Sequence, residues 1–281
     1  MHMLKIENLT YTYADSNTKS LDSISMQVEE GEFVAVIGAN NSGKSTLCNA
    51  IAGVIPHLYH GEISGKVWVQ DKDSFKMSVS EIAMSVGLVM QDPVRQLSGV
   101  RYTVFEEVAF SLENRGVERS KMKEQVDNVL NMIGLAELSD RPPYQLSGGQ
   151  QQKVALASVM ACDPSILVLD EATTFLDPQG VLQIFEIMLR LKKNGKTIVM
   201  ADQHLEWVAK YADRVVVMNS GKIVMQGTPA EVLTSPLIKE IGLDWTRYTH
   251  VASLAKTIGI WSNASGLGIT FEEVVDGLTL S

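Results

Sequence analysis

The chain has 281 residues, of which 45% are hydrophobic and 20% charged, enough to bury the core of one large domain and a smaller one. Its formal net charge of -9 excludes a protein that coats nucleic acid, because that binding needs a basic surface to neutralise phosphates. No uncharged apolar run approaches the roughly 20 residues of a membrane-spanning helix, and the start Met1-His2-Met3-Leu4-Lys5-Ile6 lacks the apolar core of a signal peptide, so a cytoplasmic chain is expected.

Residues 4–11 and 23–29 alternate apolar and polar side chains, the pattern of half-buried antiparallel strands, with a polar turn at Asp15-Ser16-Asn17 between them. Tyr11 and Tyr13 share one face of the first strand, where a ring either stacks on a purine or packs within the layer. Residues 33–37 form an apolar, β-branched run that reads as a buried strand, and residues 46–52 carry a helical apolar period. Between them, Gly38-Ala39-Asn40-Asn41-Ser42-Gly43-Lys44-Ser45 fills every fixed position of the phosphate-binding pattern G-x-x-x-x-G-K-[ST]. Glycines let successive backbone N–H groups turn toward phosphate oxygens, the helix start adds partial positive charge, and Lys44 adds a full one. Ser45 is placed to offer its hydroxyl to a magnesium ion. Binding of a nucleoside triphosphate follows.

Ile55-Pro56-His57-Leu58-Tyr59-His60-Gly61 reads as a surface loop, since no further ligand stands at metal-binding spacing from His57 and His60. Residues 66–69 and 86–90 read as strands, the second ending at Gln91-Asp92-Pro93, where a polar side chain at a strand's carboxyl end faces the ligand crevice of an α/β sheet. Residues 104–115 and 119–133 are two amphipathic helices and predict a helical subdomain, about 92–150, inserted in the α/β core. In Leu146-Ser147-Gly148-Gly149-Gln150, a capping serine and two glycines open a long helix, making a second anion-binding helix start. Two glycines in a first turn suggest that something approaches the backbone closely.

Ile166-Leu167-Val168-Leu169-Asp170-Glu171 is a buried strand ending in two carboxylates. After a phosphate loop, the first of such a pair holds magnesium and the second polarises an attacking water. A loop from 172 to 177 leads into a helix from Pro178 to about 193, a strand at 197–200 ends in Ala201-Asp202-Gln203-His204, and strands follow at 215–218 and 223–225. Thr228 to Glu231 is a capping box, and the tail from about 236 carries a second one, Thr270 to Glu273. Cys48 and Cys162 read as small buried hydrophobes.

The phosphate loop, LSGGQ and ILVLDE, in that order, resemble the ATP-binding cassette family over residues 4 to 233. The resemblance implies an α/β phosphate-loop NTPase (RecA-like) core with an antiparallel β layer and an inserted helical subdomain, a cassette at 1–235, and a small carboxyl-terminal extension at 236–281. It implies ATP and Mg2+ as ligands. Tyr13 matches the aromatic that stacks on adenine; Lys44, Ser45 and Thr46 match the residues that hold phosphates and metal, with Gln91 and Asp170 completing the magnesium set. Gln91 also matches the γ-phosphate sensor, Glu171 the catalytic base, and Asp177 the aspartate of a loop crossing a dimer interface. Ser147, Gly148, Gly149 and Gln150 match the segment that binds ATP held by a partner subunit. The family places its switch histidine ten residues before the aspartate of Ala212-Asp213-Arg214-Val215, and here that count falls on Gln203: either glutamine replaces the switch histidine, or a one-residue slip lets His204 serve.

Within the family, Ile55-Pro56-His57-Leu58-Tyr59, Gln91-Asp92-Pro93 with Gln96, and the tail Ile241-Gly242-Leu243-Asp244 resemble the ATPase subunits of energy-coupling factor importers, which take up vitamins and transition-metal ions. That resemblance implies a second ATPase subunit, either another copy of this chain or a relative, an integral membrane coupling subunit, a substrate-binding membrane subunit, and a peripheral place on the cytoplasmic face of the membrane. The rival is a soluble cassette acting on nucleic acid or ribosomes: repair cassettes carry a long coiled coil between the two nucleotide motifs, where this chain has no sustained heptads, and a translation cassette would normally carry two cassettes in one chain.

Overall fold

Runs that are apolar along their whole length become the inner strands of a six-stranded sheet, because a strand covered on both faces has no polar side to show. The computed structural model describes residues 2–261 and 266–278. Its strands are β1 (His2–Tyr13), β2 (Leu21–Glu29), β3 (Phe33–Ile37), β4 (Gly61–Val69), β5 (Lys72–Asp73), β6 (Val86–Val89), β7 (Ile166–Asp170), β8 (Thr197–Ala201), β9 (Arg214–Asn219) and β10 (Lys222–Gly227). The larger sheet has the order β10-β9-β3-β8-β7-β6, parallel except for the edge strand β10. Every residue of β3, β7 and β8 is buried. The smaller sheet, β2-β1-β4-β5, is antiparallel.

The helices are α1 (Lys44–Ile51), α2 (Val54–His57), α3 (Val79–Ala83), α4 (Val104–Asn114), α5 (Arg119–Ile133), α6 (Gly148–Met160), α7 (Pro178–Lys193), α8 (Leu205–Tyr211), α9 (Pro229–Leu233), α10 (Leu237–Glu240), α11 (Arg247–Thr257) and α12 (Phe271–Gly277). Alternation along β3 divides the interior in two. Val34 and Val36 pack with Leu47 and Ile51 of α1 and the inner face of the antiparallel layer. Phe33, Ala35 and Ile37 pack with residues of α4 through α7. Each fully buried Val, Leu or Phe contributes about 1.5–3 kcal/mol, so α1 and its loop are held between two well-packed layers.

Four details differ from expectation. β1 runs further than 4–11 and is bulged at Asn8, which has φ 47; Gly65 of β4 crosses there, and a Cβ on it would lie 2.4 Å from the Asn8 carbonyl oxygen. The stretch read as a loop at 55–61 begins in the short helix α2 and ends in β4, and His57 Nε2 lies 3.2 Å from the Ser74 carbonyl. Cys48 is buried but Cys162 only half so, and both are free. At α12, Thr270 caps the helix, yet Glu273 does not close the box. Its carboxylate accepts from the Ile269 N–H instead. The tail expected to reach 281 runs past the described residues, as does the Met1 start.

Candidate nucleotide-binding site

Because β3, β6, β7 and β8 are parallel neighbours, their carboxyl ends open at one edge, where the loops after them meet. The loop after β3 folds around its own lysine. Gly43 has φ 103, and a Cβ there would lie 2.6 Å from the Ser20 carbonyl oxygen, so only glycine makes this turn. Lys44 is 4% exposed, and its Nζ donates to the carbonyls of Gly38 (2.9 Å) and Ala39 (3.2 Å) and lies 3.2 Å from Glu171 Oε1. Ser42 Oγ is buried without a hydrogen-bond partner among the described residues. A buried ammonium lining a cleft at a loop-to-helix junction fits a phosphate group.

A cleft of about 790 Å³ opens here, lined among others by Tyr13, Asn40, Asn41, Thr46, Gln91 and Gln203. Its size suits a nucleotide. Tyr11 and Tyr13 separate in role: Tyr11 is fully buried, while Tyr13 lines the cleft with its hydroxyl 3.3 Å from Thr46 Oγ1. Sequence reading missed Thr18, Lys19, Ser20 and Thr174, which also line it. The polar turn before β2 was the only signal for the first three.

The two carboxylates diverge. Asp170 Oδ1 accepts from Ser45 Oγ at 2.9 Å. Burial pushes its carboxyl up to about 6, and the neighbouring Glu171 adds to this, against the Ser45 hydrogen bond and Lys44. A buried carboxylate beside a hydroxyl and a second carboxylate is a hard-oxygen donor set, which fits Mg2+. Glu171 has φ 47, a conformation that costs a non-glycine residue about 1–3 kcal/mol. Its N–H is fixed to the Ala201 carbonyl at 2.9 Å, and its Oε2 accepts from Gln91 Nε2 (3.2 Å) and Gln203 Nε2 (2.8 Å). Gln91 thus lines the cleft with its amide on Glu171.

Of the two switch candidates, the structure brings Gln203 to Glu171 and sends His204 elsewhere. His204 Nδ1 lies 2.8 Å from Asp202 Oδ1, and the ring does not line the cleft. The hydrogen bond to Asp202 raises the imidazole above its ordinary 6.5, outweighing partial burial. A histidine raised in this way stabilises the folded chain in full below 6.5, and that contribution is lost as pH rises through the folded value. The wild type should therefore melt above His204→Gln at pH 6 by a margin that shrinks by pH 8.5. Equal margins in thermal denaturation at both pH values would contradict this.

The helix start expected to be a second anion-binding end lies apart. Ser147 caps α6 in a reciprocal box with Gln150, and Ser147 to Gln150 line a separate cleft of about 580 Å³ with Phe175 and Asp177. Asp177 caps α7, its Oδ1 accepting from Gly180 N at 2.7 Å. The two glycines have different reasons. A Cβ at Gly149 would lie 3.1 Å from the Phe175 carbonyl oxygen, so packing within the chain accounts for it, whereas Gly148 is exposed with nothing nearer than 4.0 Å. Only Gly148 needs an outside explanation.

A phosphate-loop ATPase with a second cleft at the start of α6, apart from the first, is the class that this fold and site define. Residues 21–174 match the ABC transporter family, and the chain belongs to it as an ATP-hydrolysing cassette. It is 37% identical to the energy-coupling factor transporter ATP-binding protein EcfA1 of Clostridioides difficile, covering 98% of this chain and 97% of that protein. The EcfA1 of Bacillus subtilis is 38% identical over 92% of this chain and 90% of that protein. Among solved structures, cbiO1 from Clostridium perfringens, part of the ABC transporter complex cbiONQ, superposes with a TM-score of 0.74 at 33% identity, covering 91% of this chain and 99% of that one. A dimeric ATP-binding cassette in a post-hydrolysis state with ADP and Pi superposes with a TM-score of 0.72 at 26% identity, over 81% of this chain and 99% of that one.

Proposed function

We propose that the chain is the ATPase subunit of an energy-coupling factor type importer for a vitamin or metal ion, working as one member of a head-to-tail pair. The observation that carries the pairing is that the phosphate-loop cleft and the Ser147 to Gln150 cleft share no residue. A triphosphate bound by Lys44 of one subunit would be closed over by the α6 start of the other. Similarity over nearly the whole chain to energy-coupling factor transporter ATP-binding proteins supports the importer class. No helix among the described residues is long and apolar enough to cross a membrane, in keeping with a peripheral subunit that drives separate membrane partners.

Ser45 and Asp170, with Gln91 from the cleft lining, would hold Mg2+, which would supply positive charge against the negative charge developing on the transferring phosphoryl group. Lys44 adds charge from the other side of the loop. Glu171 is placed to accept the proton of the attacking water, and the Gln203 amide holds that carboxylate in place. Glutamine donates as a histidine would but cannot become cationic. Tyr13 presents its ring for the base.

Affinity purification from detergent-solubilised membranes, with partners identified by mass spectrometry, tests the assignment. Integral membrane subunits are the expected partners. Recovery only with ribosomes or DNA would overturn it.

A further inference from the structure

We propose that Asp202 is a positioning residue: together with Thr173 it clamps the loop after β7 to the loop after β8 and so sets the Gln203 amide on Glu171. The inference rests on the reading of Gln203 as a member of the reaction cleft. Asp202 is 1% exposed, yet no part of the mechanism above uses it. A carboxylate is kept in such a place only when its oxygens are satisfied. Here Oδ1 accepts from the backbone N–H of His204 and lies 2.8 Å from its Nδ1, while Oδ2 accepts from Thr173 Oγ1 at 2.6 Å.

The bond from residue 202 to the N–H of residue 204 is an Asx turn, and Gln203 is its middle residue. Both flanks of Gln203 are thus held by one carboxylate. Across the gap, Thr173 stands two residues beyond Glu171. The Thr173–Asp202 and Glu171–Gln203 hydrogen bonds, at 2.6 and 2.8 Å, are neighbouring rungs between the same two loops. The clamp also accounts for the choice between neighbours. With its Nδ1 at Asp202, the His204 ring is kept out of the cleft, and the glutamine takes the place beside Glu171.

A residue that only capped α8 would affect stability, whereas a positioning residue affects turnover through Gln203. ATPase kinetics of the full chain separate these roles. Thr173→Val and Asp202→Ala should each lower kcat about ten- to hundredfold, the scale of a slightly misplaced catalytic group, with KM for ATP within about twofold of wild type. Thr173→Ser, which keeps the hydroxyl, should restore kcat. In a Gln203→Ala background, Thr173→Val should change kcat by less than about twofold, because residues acting as a unit are not additive. Wild-type kcat in both Thr173→Val and Asp202→Ala would overturn the clamp, as would a full second loss in the Gln203→Ala background. If one of the two does not fold, the other decides. Unchanged kcat in Gln203→Ala alone would overturn the reading of Gln203 and the clamp with it, whereas loss there but not at Thr173 or Asp202 removes only the clamp.

Discussion

Glu171→Gln is expected to keep ATP bound while lowering steady-state hydrolysis on the order of 10²- to 10⁴-fold, the range that a general base contributes. The substitution preserves shape. Glu171 is 7% exposed, and the amide oxygen of a glutamine can still accept from Gln203 and Gln91, as Oε2 does now at 2.8 and 3.2 Å. What it loses is the ability to take a proton from water. It also loses the charge facing Lys44 Nζ at 3.2 Å, which leaves the ammonium more available to phosphate oxygens. Nucleotide affinity should therefore hold or rise while turnover falls. Fluorescent-nucleotide binding and phosphate release, measured on the same preparation, check both halves. Normal turnover in this variant would remove Glu171 from the chemistry.

Gly148→Asp is expected to abolish hydrolysis by about 100-fold or more while leaving nucleotide binding to the phosphate loop within about threefold, because an anion would then stand where the proposed pairing puts the partner's triphosphate. The site tolerates a side chain: its nearest neighbour would be Phe175 Cβ at 4.0 Å, and Gly148 is not among the residues with positive φ. An aspartate in a helix's first turn also favours the helix dipole. The fold should survive, and thermal denaturation of the variant checks this directly. The same change at Gly149 would be ambiguous, because its Cβ would press on the Phe175 carbonyl oxygen.

Local chemistry was legible in the sequence and long-range geometry was not. The phosphate loop and the Asp170-Glu171 pair are each contiguous, so spacing alone places Lys44, Ser45 and both carboxylates where the structure brings them together. Sequence spacing favoured Gln203 over His204 by a single residue. The difference rests on Asp202 and Thr173, whose hydrogen bond joins positions far apart in the chain. Gly149 looked like a ligand contact because its neighbour in the 175–177 loop cannot be seen from a helix motif. Thr270 to Glu273 has the letters of a capping box, but the Ile269 N–H competes successfully for the glutamate. The bulge at Asn8 likewise depends on the crossing of Gly65 from another strand.

On the proposed pairing, each phosphate loop is half of a site, completed by the α6 start of a second subunit. Mixing two inactive forms of this chain tests it most directly. Lys44→Ala removes one half and Gly148→Asp the other, so each alone should hydrolyse little ATP. Combined in equal amounts, half of randomly formed pairs are mixed, and each mixed pair keeps one intact site, so the mixture should recover about a quarter of wild-type turnover. A mixture as inactive as its components would contradict a site shared between two copies of this chain.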